Sequence, residues 1–316
     1  SFISSQFMSI RSVVFAVFLS TAVCQRNIVS LSQRRLPFQN GTTRNDFPSS
    51  AGTLRHIQTL QLDDAVSPIS QFAQLSSIIV DSGGSELLAT TDEATFINME
   101  LEVRSSLERT SRGRFDVSEA TIYPMRDPQG QIMIFKDDFL DIAASLTIDG
   151  TYRGRGRGDL IVSFVEDRGT LLRYPDGVRS RASTQLNISD FLRECGDGPE
   201  AITKLRPRRR DRRDHLLMLC GSSSSDDRNV YTAYAYDESI PNRFFVESRD
   251  SLRPADMAGL RNGDFMILFS REDTRRNGSI TSRTMRIGYV TSTEFTRAIR
   301  EGGTVIPQII LEVSGS

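Results

Sequence analysis

The sequence predicts an α+β protein made of two tandem copies of one unit, each a set of short strands with a longer helix near its end. Three observations predict this. Gly158-Asp159-Leu160-Ile161-Val162-Ser163-Phe164 matches Gly263-Asp264-Phe265-Met266-Ile267-Leu268-Phe269 at an offset of 105, and Leu186-Asn187-Ile188-Ser189-Asp190-Phe191 matches Val290-Thr291-Ser292-Thr293-Glu294-Phe295 at an offset of 104. Between these landmarks each copy has a turn signal, Pro175-Asp176-Gly177 in one and Asn277-Gly278 in the other, and Asn-Gly between strand-like residues marks a hairpin. A helix start follows each hairpin: Thr291 with Glu294 three residues on has capping-box spacing, and Asn187 with Asp190 is its weaker counterpart.

Composition bounds the rest. The chain has 316 residues, 39 Lys+Arg against 40 Asp+Glu, and a net charge of −1, a length that suits about two domains. At 38% hydrophobic and 25% charged it can fill ordinary cores. A pI near 6.2 excludes a dedicated nucleic-acid binder, whose domain would be strongly basic. Two His and three Cys exclude most zinc sites and a dense disulfide framework, and no cofactor is expected. No apolar run reaches the length of a membrane-spanning helix. Lys136 and Lys204 are the only lysines, which reads as codon bias.

The N-terminus predicts secretory entry. Met8 and Arg11 precede an apolar run from Val13 to Cys24, of signal-peptide length and too short to span a bilayer. Small residues at Ala22 and Cys24 place the cut before Gln25, with residues 1–7 upstream of the start, so 1–24 is assigned as the signal peptide. Cleavage leaves Cys195 and Cys220, bonded or free. Sequons at Asn40, Asn187 and Asn277 permit glycosylation.

Residues 25–92 read as a flexible leader with one helix; its first part, 25–54, is rich in Arg, Ser, Asn and Thr without either period. Within it Ser67-Pro68 opens a helical pattern near 67–80, with Ile69, Phe72, Leu75, Ile78 and Ile79 on one face and Asp81-Ser82-Gly83-Gly84 as its stop. From about 93 short strands and turns take over, in copies 93–208 and 213–316. In the helix of each copy, Phe295 and Ile299 correspond to Phe191 and Cys195, which gives Cys195 the role of a small core residue. Glycines 302–303 and 196–198 end the helices, and strands at Val305–Val313 and Ala201–Leu205 close the copies.

Phe244-Phe245-Val246-Glu247-Ser248, followed by Pro254-Ala255-Asp256-Met257-Ala258-Gly259-Leu260-Arg261-Asn262-Gly263-Asp264, resembles the PDZ domain family. The resemblance covers 213–316, and in more divergent form 93–208, where Arg153-Gly154-Arg155-Gly156-Arg157 replaces the Pro-Ala-Asp segment. It implies two tandem, partly open β-barrels, each with a short and a longer helix, the short one starting at Pro254. It also implies a slot in which a peptide or protein segment, such as a partner's C-terminus, adds as a strand. Carried over, the slot lies between Val230, Tyr231, Tyr234 and Tyr236 and the helix positions Ser292, Thr296 and Ile299; Ile188 and Leu192 are the helix positions of the first copy. The family's frequent His at the first helix position is absent from both copies. The carboxylate loop of the second copy, Gly221 to Asp227, ends in two acids that would repel a carboxylate.

Residue patterns for chemistry are sparse. Asp81-Ser82-Gly83-Gly84-Ser85 resembles the nucleophile segment of trypsin-like serine proteases, but few residues precede it and His56 is the sole His among them, so it reads as a turn. His215 reads as a surface residue. The Arg-Gly run 153–158 reads as a solvated loop. Arg206, Arg208 and Arg209, in the basic run 206–213, read as a linker that also fits a processing site in a secreted protein. The expected function is a non-catalytic peptide- or protein-binding protein, secreted or luminal. The alternatives are the regulatory part or degenerate remnant of a PDZ-bearing serine protease, and a structural matrix protein.

Overall fold

The computed structural model describes residues 27–36, 46–49, 51–64, 72, 74–104, 114–133, 142–165, 169–205, 215–223, 229–237, 240–274 and 280–315. In chain order the first strands are β1 (Asn27–Leu36), β2 (Asp46–Ser49), β3 (Gly52–Arg55), β4 (Thr59–Asp64), β5 (Leu75–Val80), β6 (Glu86–Thr91), β7 (Thr95–Glu100), β8 (Glu102–Arg104), β9 (Arg114–Asp116) and β10 (Glu119–Pro124). β11 (Ile142–Asp149), β12 (Asp159–Val165), β13 (Thr170–Tyr174) and β14 (Thr184–Gln185) lead to the one-turn helix α1 (Ser189–Leu192). β15 (Pro199–Leu205), β16 (His215–Ser223), β17 (Val230–Asp237) and β18 (Ile240–Glu247) follow, then β19 (Arg253–Gly259), β20 (Phe265–Thr274), β21 (Ile280–Val290), α2 (Ser292–Glu301), β22 (Thr304–Val305) and β23 (Gln308–Gly315).

Four sheets, arranged like the blades of a propeller, hold most of these strands, and β2-β3 and β8-β9 form two small two-stranded sheets beside them. The orders of the four are β4-β1-β10-β7-β6-β5, β11-β12-β13-β14, β15-β16-β17-β18-β22 and β19-β20-β21-β23. Neighbours are antiparallel except the short β18–β22 pair. The inner-edge strands of successive sheets, called here their first strands, pack in series, β5 on β11, β11 on β15 and β15 on β19. Three cores lie between sheets, and a fourth, with Ala89, Ile97, Met99 and Ile122, lies on the first sheet itself. One joins the first and second through Leu88, Phe96, Leu160, Phe164 and Tyr174. The next joins the second and third through Ile161, Phe191, Ile202, Met218 and Tyr234. A third joins the third and fourth through Leu217, Leu219, Phe244, Phe265 and Phe269. Alternation makes this possible: in β12, Leu160, Val162 and Phe164 face one neighbour while Ile161 faces the other.

This arrangement replaces the two partly open barrels expected from the PDZ resemblance. Strand, tight turn and strand read the same in one dimension whether the sheet closes on itself or stacks on the next one, so the landmarks were real and the closure was not. The matched segments at 158–164 and 263–269 are equivalent in the structure: β12 and β20 are each the second strand of their sheet. The copies are therefore two sheets apart. The boundary at 92/93 falls in the β6–β7 hairpin, where Thr91 pairs with Thr95, and the gap at 208–213 lies between β15 and β16, which are partners in one sheet.

Three local expectations change with it. The leader carries β1 to β6, and β1 pairs with β10 in the first sheet. The helix expected near 67–80 is strand from Leu75 to Val80; its apolar residues met a helical period, but Ser77 faces inward and Ile78 outward in strand alternation. Pro254–Gly259 is strand β19, not a short helix; proline suits the start of a strand at a sheet edge as well as the first turn of a helix. By contrast α2 forms as its signals predict: Thr291 Oγ1 accepts from Glu294 N at 3.2 Å, the Glu294 carboxylate accepts from Thr291 N at 3.2 Å, and Gly302 ends the helix at φ +61°. Phe295 anchors it, edge-on to Phe244 and Phe265 at 5.5 and 5.4 Å.

The Arg-Gly run is a packed turn. Gly156 N donates to the Tyr152 hydroxyl at 3.0 Å, and Val178 N donates to the Gly156 carbonyl at 2.9 Å. A Cβ on Gly177, at φ +65°, would sit 2.0 Å from that carbonyl. Gly177→Ala is therefore expected to cost about 2–4 kcal/mol in urea denaturation, the combined effect of positive φ and a backbone clash; an unchanged midpoint would contradict the packing described. Cys195 and Cys220 form a disulfide, with Cα atoms 5.7 Å apart, which ties the segment entering the third sheet to β16. Cys220→Ser is expected to lower stability by about 3 kcal/mol, as loop closure over such a separation predicts, measured by thermal unfolding beside the oxidised parent.

Candidate functional site

The predicted groove residues do not form a slot. Val230, Tyr231, Tyr234 and Tyr236 lie on β17, which hydrogen-bonds to β16 on one edge and β18 on the other, so no guest strand can add there. Tyr234 and Tyr236 are buried in the core with Ile188 and Phe191, and Leu192 packs against the same cluster. Ring centroids of Phe191 and Tyr234 are 5.6 Å apart. Of the α2 positions, Ile299 packs on the core between the third and fourth sheets, Thr296 Oγ1 donates to the Ser292 carbonyl at 2.7 Å, and Ser292 N donates to Asp264 Oδ1 at 2.8 Å. The protein's own side chains fill the place assigned to a ligand.

Other expected residues fall elsewhere. Asn187 is exposed and its Oδ1 accepts from Ser189 N at 3.1 Å; Asn40, Asn277 and the basic residues Arg206, Arg208 and Arg209 lie outside the described residues, as does the segment 1–24 expected to be a signal peptide. Ser82 sits in the β5–β6 turn, where the Asp81 carboxylate accepts from Gly83 N at 2.9 Å, Ser85 N at 2.6 Å and Glu86 N at 2.7 Å. Those bonds, led by the one from Glu86, hold the Asp81 carboxyl below the ordinary range, and they account for the turn without any catalytic partner. His215 packs edge-on to Phe295 at 6.0 Å.

What the fold does bring together lies on the axis. Each first strand leaves main-chain N–H groups on its inner edge, and hydroxyls of the preceding sheet accept from them. Leu146 N donates to Ser77 Oγ at 3.0 Å, Ile202 N to Ser145 Oγ at 3.1 Å, Lys204 N to Thr147 Oγ1 at 3.0 Å, and Gly259 N to Thr203 Oγ1 at 2.8 Å. Ser77 and Ser145 pass their own protons to one group, the carboxylate of Asp256, at 2.9 and 2.7 Å. Met257 N adds a third bond at 2.8 Å. The Asp256 residue keeps some accessible surface, yet its carboxyl group lies deep among neighbouring atoms, and that depth governs its titration. Burial pushes it up to about 6, against the opposing pull of the bonds from Ser145, Met257 and Ser77.

This waist separates two axial cavities. The upper one, about 970 Å³, is formed by the starts of the first strands and the turns beside them. Asp92, Asp197, Glu200 and Glu272 line it, with Arg253 and Arg271. Both arginines are engaged with main chain: Arg253 Nε donates to the Gly221 carbonyl at 3.2 Å and Arg271 Nη1 to that of Asp250 at 2.8 Å. Burial first, and the neighbouring Glu93 second, raise the Asp92 carboxyl. The lower cavity, about 370 Å³, is more apolar, lined by Ile78, Ile148 and Met257 with Lys204 and Arg261.

Among the described residues no group of three His, Cys, Asp or Glu side chains forms a metal-ligand cluster, and no helix is long and apolar enough to cross a membrane. Sequence reasoning missed the axial hydroxyls, although they recur: the bonds Ser145–Ile202, Thr147–Lys204 and Thr203–Gly259 span 57, 57 and 56 residues, about half the offset of the visible repeat. No family model matches the chain, and no curated protein matches it. A solved structure of S. cerevisiae Dbp5 bound to Nup159, Gle1, IP6 and ADP is similar at 12% identity, over 90% of this chain and 66% of that one, with a TM-score of 0.30; the chain thus spans less than two thirds of that chain's length, and a likeness of this size bears on neither fold nor function.

Proposed function

We propose that the protein is a non-catalytic binding scaffold of the secretory pathway whose upper axial cavity receives a basic segment of a partner protein. The observation that carries this reading is the cavity of about 970 Å³ lined by Asp92, Asp197, Glu200 and Glu272 against Arg253 and Arg271, an acidic excess that remains when the pairing of Glu272 with Arg283 is counted. A concave site with a few convergent polar groups is the usual form of a binding site, and an excess of one sign selects and steers a partner of the other. The disulfide and the exposed Asn187 sequon support an oxidising, extracellular setting. Recognition by this cavity uses side-chain charge, so it does not require a free chain end.

Fluorescence anisotropy with matched Arg/Lys-rich and Asp/Glu-rich peptides tests the reading. The basic peptide is expected to bind and the acidic one not, with equal affinity for free and amidated C-termini and weakening as salt rises. Asp197→Asn with Glu200→Gln is expected to weaken binding by roughly 3- to 10-fold, since partly exposed ion pairs contribute modestly each. Equal binding of both peptides, or of neither, would exclude this use of the cavity.

A further inference from the structure

The lower axial cavity, about 370 Å³, has two features that the strands around it do not need for their own packing. The first is apolar surface left open. Strand alternation divides the end of β5: Ile79 packs on the core between the first and second sheets, while Ile78 and Val80 stand on the other face, line the cavity and remain 47% and 52% exposed. Ile148, Met257 and Leu260 continue this wall from β11, β19 and the residue after β19. Open aliphatic surface inside a concavity is what the apolar body of a ligand covers.

The second feature is a set of donors with capacity left. Thr147 and Thr203 line the cavity and are only 5% and 4% exposed. Each hydroxyl oxygen accepts a main-chain N–H, from Lys204 at 3.0 Å and from Gly259 at 2.8 Å, and among the described residues neither hydroxyl proton has an acceptor. Ser77 and Ser145 at the waist differ, because both donate to Asp256. Arg261 is exposed; its Nη2 donates to the Ser82 carbonyl at 3.2 Å, and among the described residues no carboxylate pairs with it. Lys204, the other cation on this wall, is neutralised by Asp149 at 3.2 Å. Asp81 also lines the cavity, but its carboxylate is already saturated by Gly83 N, Ser85 N, Ser85 Oγ and Glu86 N.

We propose that the lower cavity binds a small aliphatic monocarboxylate, with its carboxylate drawn to Arg261 and the threonine hydroxyls and its chain laid on Ile78, Val80 and Ile148. An ionised carboxylate supplies acceptors only, so it uses these donors and brings no donor that the wall would have to satisfy. Its bond to a guanidinium is charge-assisted, and the aliphatic walls lower the dielectric around it. An ammonium of the same length would meet Arg261 as a like charge. The acidic upper cavity repels the same carboxylate, so the two cavities select ligands of opposite sign.

Ligand-observed NMR titration of the full, disulfide-bonded chain with octanoate, octanamide and octylammonium tests the assignment. Octanoate is expected to bind with a Kd of roughly 0.1–1 mM, the range open to a ligand of so few atoms. Octanamide is expected to bind roughly 5-fold more weakly, and octylammonium not to bind in this cavity. Arg261→Gln keeps a donor for the Ser82 carbonyl but removes the charge; it is expected to weaken octanoate roughly 5- to 10-fold and to leave octanamide unchanged. Ile78→Glu puts an acid at an already exposed position and is expected to abolish octanoate binding without lowering the thermal midpoint. Asp197→Asn with Glu200→Gln, in the upper cavity, is expected to leave octanoate binding as it was, so the result is independent of what that cavity binds. Equal affinity for the three probes, parent-like octanoate binding by Arg261→Gln, or no octanoate binding up to about 10 mM would overturn the assignment.

Discussion

Side-chain hydroxyls accepting the inner-edge N–H groups of the next sheet are the constraint on which the rest of this structure depends. A stack of small antiparallel sheets leaves one edge of every sheet facing the axis, where unpaired main-chain donors are both costly and open to wrong pairing. Ser77, Ser145, Thr147 and Thr203 answer this in one direction, each hydroxyl serving the sheet that follows its own. Because a hydroxyl both accepts and donates, it can serve a second partner, and the two serines donate hydrogen bonds to Asp256. The sheets are thereby fixed in height relative to one another, and the apolar cores between them can pack without slipping by a residue.

Much of the local structure was legible. The capping box at Thr291 and Glu294 made α2, the Gly-Asp turn before Leu160 and Phe265 opened equivalent strands, and Cys195 is the core residue its equivalence with Ile299 implied. The architecture was not legible, for a physical reason. Propeller-like stacking is specified by contacts between sheets, and on the axis these rest on single Ser or Thr residues, too small a signal to stand out from ordinary strand composition. The visible repeat misled about the unit because every second sheet shares the more memorable features: β12 and β20 follow the same Gly-Asp turn, and the second and fourth sheets each lead into a helix.

The same compression explains the site. Pro254-Ala255-Asp256 carried a plausible helix start, and its real place is an inner strand whose acid lies at the centre of the molecule. The tyrosines of β17 had the alternation of a groove strand, and that alternation instead divides them between two cores, with Tyr231 on one side and Tyr234 and Tyr236 on the other. Strand alternation reports burial on a face; it does not report whether the edge is free, and a peptide slot needs a free edge.

The order of pairing in the first sheet has a consequence for how the chain acquires its shape. β1 lies between β4 and β10, so residues near 30 wait for partners near 120, whereas the second sheet is a plain meander of adjacent segments. Closing a long loop carries an entropic toll before any contact repays it, so local meanders assemble first and distant pairings follow. A chain threaded from its N-terminus into a folding compartment would therefore pair the second half of its earliest strand with β4 at once, and leave the first half, Asn27 to Ser30, waiting until β10 arrived.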